Sequence, residues 1–251
     1  MTKTVFITGA TSGIGKACAE KFAAEKYNII ITGRRQERLD DLKDSLEKNY
    51  AIQVLSLCFD VQNKETVFSQ VNALPEDLSV DILVNNAGLA LGKEPFDEAH
   101  MDDWETMLNT NVHGLLYVTR ALMPRLKKSS SAHIINIGSI AGKEVYENGN
   151  VYCASKFAVD ALSKAMRIDL LKHGIKVTAL HPGAVETEFS IVRFKGNEEK
   201  AAATYQGYEP LIGSDIADAV YYCAALPPHI CINDMVITCT AQAGAHYLHK
   251  K

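Results

Sequence analysis

No apolar run in this sequence approaches the roughly 18 residues that a membrane-spanning helix requires. The opening residues Met1 to Ile7 read as a strand running into a glycine loop. They lack the longer apolar core and small-residue cleavage site of a signal peptide. No basic patch stands out and the net charge is −4, so nucleic-acid binding has no electrostatic support. None of the six cysteines, Cys18, Cys58, Cys153, Cys223, Cys231 and Cys239, falls in a Cys-x-x-Cys pair. In a chain of this size they read as reduced, small hydrophobes of a cytoplasmic protein. The eight histidines contain no His-x-x-x-His pair, so no metal site is indicated. Repeats, low-complexity linkers and a second core are also lacking.

What the 251 residues do contain is a steady alternation of strand-like and helix-like runs. Hydrophobic residues make up 47% and charged residues 22%, an ordinary balance for a soluble globular protein. Strands are expected over 5–8, 28–32, 53–58, 81–84, 133–137, 175–180 and 235–239. Helical patterns fill the intervals, among them 16–25, 36–48, 102–120, a run from 152 to about 173, and 214–226. Strands alternating with helices predict an α/β fold, a single-domain Rossmann-type doubly wound parallel sheet of about seven strands flanked by helices, spanning 1–251. The segment 188–210 is polar with weak periodicity and reads as a mobile lid. The tail 244–251 has no clear role from composition.

Chemistry gathers where the strands are expected to end. Gly9, Ala10, Thr11, Ser12, Gly13 and Ile14 follow the first strand and open a helix. Glycines there let the backbone turn tightly against a pyrophosphate, which a helix N-terminus attracts. The second strand ends at Arg34 and Arg35, where an NAD-binding domain carries a carboxylate for the ribose 2′-hydroxyl. Arginine forks suit the 2′-phosphate of NADP, although both residues could belong to a solvated charged face. Asp60, followed by Val61, could accept from an adenine amino group or cap the helix near Asn63. Asn86, Ala87 and Gly88 follow the fourth strand and would let backbone pass close to a ligand. Asn111 and Gly114 sit in mid-helix, where both are locally unfavourable; Asn111 is either functional or a satisfied buried amide. Tyr152 and Lys156 lie one turn apart on one helix face. A nearby ammonium is expected to lower the phenol pKa, so that the tyrosine could exchange a proton with an alcohol or carbonyl. Ser139 could polarise the same substrate oxygen.

Taken in order, Thr8-Gly9-x-x-x-Gly13-Ile14-Gly15, Asn85-Asn86-Ala87-Gly88, Asn111, Ser139, Tyr152-x-x-x-Lys156 and Pro182-Gly183 resemble the short-chain dehydrogenase/reductase family over essentially the whole chain. The resemblance implies Asn111, Ser139, Tyr152 and Lys156 as the catalytic tetrad, with Asn111 fixing a water. It implies Gly9 through Ile14 at the pyrophosphate, Asp60 and Val61 at adenine, and Asn86 on the ribose side. Pro182, Gly183, Val185 and Thr187 would flank the nicotinamide, and Lys156 would hold its ribose. Within the family, the runs at 32–39, 88–92, 103–107 and 192–196 look like the bacterial NADP-dependent 3-hydroxy acid dehydrogenases, which include serine and L-allo-threonine dehydrogenases. That resemblance implies NADP as cofactor, a small 3-hydroxy acid as substrate and a homotetramer. Arg193 and Lys195 are the expected carboxylate anchors, beside Ser139 and Tyr152. The run 144–147 leaves substrate size open. Two rival readings remain: a reductase for bulkier, carboxylate-free ketones, and a catalytically idle NADP(H)-binding protein.

Overall fold

Seven parallel strands form the central sheet of the structure, a computed structural model that describes residues 2–251. Met1, at the head of the run read as the first strand, lies outside the described residues. The strands are β1 (Thr4–Ile7), β2 (Asn28–Gly33), β3 (Val54–Cys58), β4 (Ile82–Asn85), β5 (His133–Ile137), β6 (Lys176–Pro182) and β9 (Asp234–Ile237), in the order β3-β2-β1-β4-β5-β6-β9. Two short strands, β7 (Val185–Glu186) and β8 (Leu211–Ile212), pair separately. The expected α/β doubly wound class is therefore observed, with the helices that cover it.

The strands are apolar on both faces because helices bury both. Val5, Ile7, Ile29, Ile31, Ile82 and Val84 point into one layer, with Cys18 and Phe22 of α1 (Gly13–Ala24), Leu39 and Leu46 of α2 (Gln36–Tyr50), and Ile216 and Val220 of α9 (Gly213–Ala225). Phe6, Ile30, Leu83 and Ile134 point into the other, against Val67 and Val71 of α3 (Lys64–Asn72) and Leu122 and Leu126 of α5 (Leu115–Leu126). The strand order reverses between β1 and β4. In such sheets the crevice at that reversal, outside the carboxyl ends of the strands, is where ligands bind.

The helix expected over 102–120 is in fact three pieces. α4 (Met101–Leu108) runs into a π-helical segment, Asn109–Gly114, and then α5. The wider turn coincides with the residues that disfavour a regular helix. It brings the Asn111 amide to the backbone of Leu89, 2.8 Å away in both directions. It also packs Gly114 on Val61, where a Cβ would come within 2.7 Å of the valine Cγ2. Of the large apolar residues there, Met107 and Leu115 are buried. Leu108 is 38% exposed, and Trp104 is half-buried against Phe96. The lid segment is not irregular: it folds as α7 (Phe189–Arg193) and α8 (Glu198–Ala203), helices too short for their period to register in sequence.

A buried polar chain fixes the two strands beneath the site. Asn85 Nδ2 on β4 donates to Thr119 Oγ1 on α5 and to Asn136 Oδ1 on β5, both at 2.9 Å. Asn136 Nδ2 donates to Ser163 Oγ at 2.9 Å on α6 (Asn150–Asp169), the helix that carries Tyr152 and Lys156. A buried polar group stripped of its partner costs about 1–3 kcal/mol. Asn136→Ala should therefore lower unfolding free energy by roughly 2–3 kcal/mol in urea titrations. A loss within about 0.5 kcal/mol, as at neutral surface sites, would deny the chain its role.

Candidate active site

One cavity of about 890 Å³ runs along the carboxyl ends of the strands. That is near the upper end of ordinary ligand pockets. At one end lies the glycine loop. Gly9 and Gly13 take left-handed backbone, φ +67° and +52°. Gly15 packs so tightly that a Cβ would sit 2.3 Å from the Gly9 oxygen. Asn86 Nδ2 clasps the loop from β4, donating to the oxygens of Thr8 (2.9 Å) and Gly9 (3.2 Å). The first turn of α1 carries no acidic side chain, and Ser12 makes no side-chain cap. Its amide donors suit a pyrophosphate.

Beside the loop, Arg35 Nη2 donates to Thr11 Oγ1 (2.8 Å) and Ser12 Oγ (3.1 Å). Arg34 lies 3.7 Å from Asp60. A second carboxylate, Glu188, takes Arg35 Nη1 at 2.9 Å and Arg38 Nη1 at 2.5 Å. Burial alone would raise the Glu188 pKa, but the bonds from Arg38 and Arg35 hold it below the usual range. Guanidinium groups and hydroxyls around one small space fit a ribose phosphate. Asp60 does not cap α3: Asn63 does, accepting from Thr66 N at 2.8 Å.

The reacting end lies between β5 and α6. Ser139, Tyr152 and Lys156 line the cavity, and all three are buried. Lys156 Nζ donates to Ile137 O at 3.0 Å and lies 5.9 Å from the centre of the Tyr152 ring. Burial pushes the lysine pKa down to about 8. It pushes the phenol well above the ordinary tyrosine range, with Tyr146 adding and the Ser139 hydroxyl and Arg193 charge opposing. The expected lowering of the tyrosine by Lys156 is not what this site shows: the groups that oppose the rise are Ser139 and Arg193, and withdrawing a phenolate from water costs more than they return.

The other residues singled out from sequence fall as follows. Every expected cofactor residue lines the cavity except Ala10, which is buried in the core behind the loop. Asn111 is not among the lining residues. Its amide is spent on Leu89 and on Ser155 Oγ, 3.0 Å away, as a satisfied buried amide. Arg193 does line the cavity. Its Nε donates to Gly92 O at 3.2 Å, and its guanidinium stands 5.5 Å from the Tyr146 ring centre and 5.6 Å from that of Tyr152. Lys195 is a correction: it does not line the cavity but pairs with Asp103 on α4 at 2.7 Å, which ties the lid down. φ at Lys195 is +52°, and this left-handed turn leads into Gly196.

Sequence reasoning missed Lys93, Glu188, Gln242 and Lys250, all of which line the cavity, as does Tyr146 of the run 144–147. Lys93 is held below the ordinary lysine range by partial burial first and by the Arg193 charge second; Glu147 opposes this and Lys250 adds to it. The tail acquires a role: Gln242 Oε1 accepts from Ala184 N at 2.8 Å, and Ala243 pairs with Tyr247 so that the chain folds back over the site. No local pattern announces the Gln242 contact, which joins positions 58 residues apart. Arg38 lies in the first turn of α2 and joins Arg35 on Glu188.

A phosphate-binding loop, a ribose-end arginine cluster and a buried tyrosine–serine–lysine group on one α/β sheet define a dinucleotide-dependent oxidoreductase. The chain belongs to the short-chain dehydrogenase family, whose model matches residues 3–198. It is 45% identical over 243 residues to the NADP-dependent 3-hydroxy acid dehydrogenase YdfG of Escherichia coli (strain K12), covering 96% of each chain. It is also 45% identical over 249 residues to the sulfoacetaldehyde reductase of Chromohalobacter salexigens, covering 98% of each. Among solved structures, the closed form of serine dehydrogenase complexed with NADP+ superimposes with a TM-score of 0.92 at 43% identity, covering 99% of this chain and 100% of that one.

Tyr152→Phe removes one oxygen from this group and leaves the dinucleotide contacts intact. Positioned acid–base groups contribute about 10²–10⁴-fold. Dinucleotide binding, followed by fluorescence, should stay near parental while turnover falls by at least about 10²-fold. Retention of more than about a tenth of the activity would remove Tyr152 from the chemistry.

Proposed function

We propose that the protein is an NADP-dependent dehydrogenase for a small 3-hydroxy acid of the serine, L-allo-threonine or 3-hydroxypropionate type. The observation that carries this reading is the Arg193 guanidinium, held beside the Tyr152 ring by its bond to Gly92. An anion seated there would place the carbon two bonds away near the phenol. Lys93 and Lys250 line the same cavity, so three cations border the reacting end. The depressed Lys93 pKa reflects burial and that crowding, which an anionic substrate would relieve. The names of the similar dehydrogenases support the same substrate class.

In this reading the residues divide the work. Ser139 and Tyr152 hold the substrate hydroxyl, and Tyr152 takes its proton during oxidation or returns it during reduction. Bound NADP supplies the hydride acceptor and, when oxidised, a positive charge that favours the phenolate. Lys156 holds the nicotinamide ribose, and Arg34 and Arg35 hold the 2′-phosphate. Gly9, Thr11, Ser12, Gly13 and Ile14 surround the pyrophosphate. Asp60 and Val61 face adenine, and Ala87, Gly88, Pro182, Gly183, Val185 and Thr187 wall the nicotinamide end. Asn111 acts by holding Leu89 rather than by a free amide. The lid, 188–210, closes the site through Arg193. Rival readings fare less well: a carboxylate-free ketone offers the Arg193 guanidinium no anionic partner, and a binding protein has no use for a buried tyrosine and lysine beside the nicotinamide wall. No helix among the described residues is long and apolar enough to cross a membrane. A cytoplasmic location and a homotetramer belong to the same reading, supported by the family resemblance.

The substrate's carboxylate is the testable core. Serine or 3-hydroxypropionate should be oxidised with NADP+ far better than its methyl ester. Arg193→Ala should raise KM for the acid by about tenfold or more, as for a lost charge-assisted bond of about 1.5–3 kcal/mol, and leave the ester unchanged. Equal kcat/KM for acid and ester would discard the hydroxy acid reading in favour of a general carbonyl reductase.

A further inference from the structure

His181 is fully buried on β6, immediately before Pro182, and none of the roles above uses it. Its ring lies directly under the turn that carries Ser139. Nδ1 is 3.1 Å from the Ser139 carbonyl oxygen. A Cβ on Gly138 would come within 2.5 Å of that nitrogen, so only glycine lets the imidazole approach so closely. A carbonyl can only accept, which fixes the proton on Nδ1. Nε2 is buried without a hydrogen-bond partner and faces Asp160 Oδ1 at 3.5 Å and Asp234 Oδ2 at 3.7 Å. Lys143 binds the same two carboxylates, Asp160 at 2.8 Å and Asp234 at 2.5 Å, so its ammonium fills the place a cation would take. Lys164 adds a bond to Asp160 at 2.7 Å.

These groups come from every element around the serine. Lys143 follows the 3₁₀ turn Ile140–Gly142, Asp160 lies one turn beyond Lys156 on α6, and Asp234 is on the edge strand β9. We infer that His181 is a positioning residue: its Nδ1–H holds the Ser139 peptide, and complete burial against Gly138 keeps the ring in place. Ser139 Oγ is already committed to this turn, accepting from Ala141 N at 3.1 Å. A displaced peptide would therefore carry the hydroxyl with it. Misplacing a reacting group by about 1 Å can cost about 10²-fold in rate. The inference rests on Ser139 holding the substrate oxygen, as read above.

The test uses the tautomer. Asparagine can present its amide N–H where Nδ1–H was, while glutamine reaches the Nε2 place and leucine offers no donor. With serine and NADP+, His181→Leu and His181→Gln should lower kcat about 10- to 100-fold, with NADP+ Kd and serine KM little changed. His181→Asn should recover kcat to within roughly threefold of the parent, because the donor is kept. If the leucine variant does not fold, the Asn–Gln pair decides alone. Equal kcat in the Asn and Gln variants, or losses that track NADP+ Kd, would overturn the inference. Ser139→Ala separates the two layers. If it is nearly inactive while His181→Gln is not, the His181 inference fails alone; if it keeps parental turnover, both fail.

Discussion

Burying an ammonium group without a counter-ion is costly, and the fold does so at Lys156. The residue is 6% exposed, and the bond it makes is to a backbone carbonyl, that of Ile137. Much of the nearby architecture serves that placement. α6 carries the lysine, and the chain Asn85–Asn136–Ser163 locks α6 to β4 and β5. The Ser139 turn packs on the same helix: a Cβ on Gly142 would meet the Lys156 carbonyl at 2.6 Å. A site so dry strengthens every charge interaction made inside it. It also explains why the Tyr152 phenol is pushed up rather than down before a second positive charge arrives.

The lid is organised by charges of the opposite logic. Glu188 at its start takes two arginines of the cofactor end, and Lys195 at its far side takes Asp103. Between them Arg193 is steered inward by its Gly92 bond and by stacking near Tyr146 and Tyr152. Two latches on the outside thus deliver one cation to the inside. The same segment touches both the glycine-loop end and the Tyr152 end of the cavity, so one continuous piece of chain borders both.

The layout was largely legible because parallel strands buried on both faces are continuous apolar runs, and glycine punctuates their ends. Ile29 to Ile31 and Ile134 to Ile137 announce themselves without any knowledge of their neighbours. So do the glycine loop and the Tyr152–Lys156 pair, which depend on spacing within a few residues. Asn111 was flagged for its local cost, but the π-turn that resolves the cost needs Leu89 and Val61, which are far away in sequence. Arg193 and Lys195 are two residues apart and alike in charge. Their fates differ because one faces Gly92 and the other Asp103, a matter of tertiary placement alone. His181, Gln242 and Lys250 were illegible for the same reason.

The account turns on the lysine being charged against the preference of its surroundings, and this has a thermodynamic signature. Its folded pKa, about 8, lies below the ordinary 10.5. Between those values the folded protein binds fewer protons than the unfolded chain, so stability rises with pH across that window. Below it the burden is present in full, on the order of 3 kcal/mol. Lys156→Met removes the charge at similar volume while leaving Tyr152 in both proteins. Measured by thermal unfolding without cofactor, the variant should be more stable than the parent at pH 7, and its advantage should shrink steadily between about pH 8 and 10.5. A variant less stable at pH 7, or a difference that does not change with pH, would contradict the view that the site is built around a desolvated ammonium.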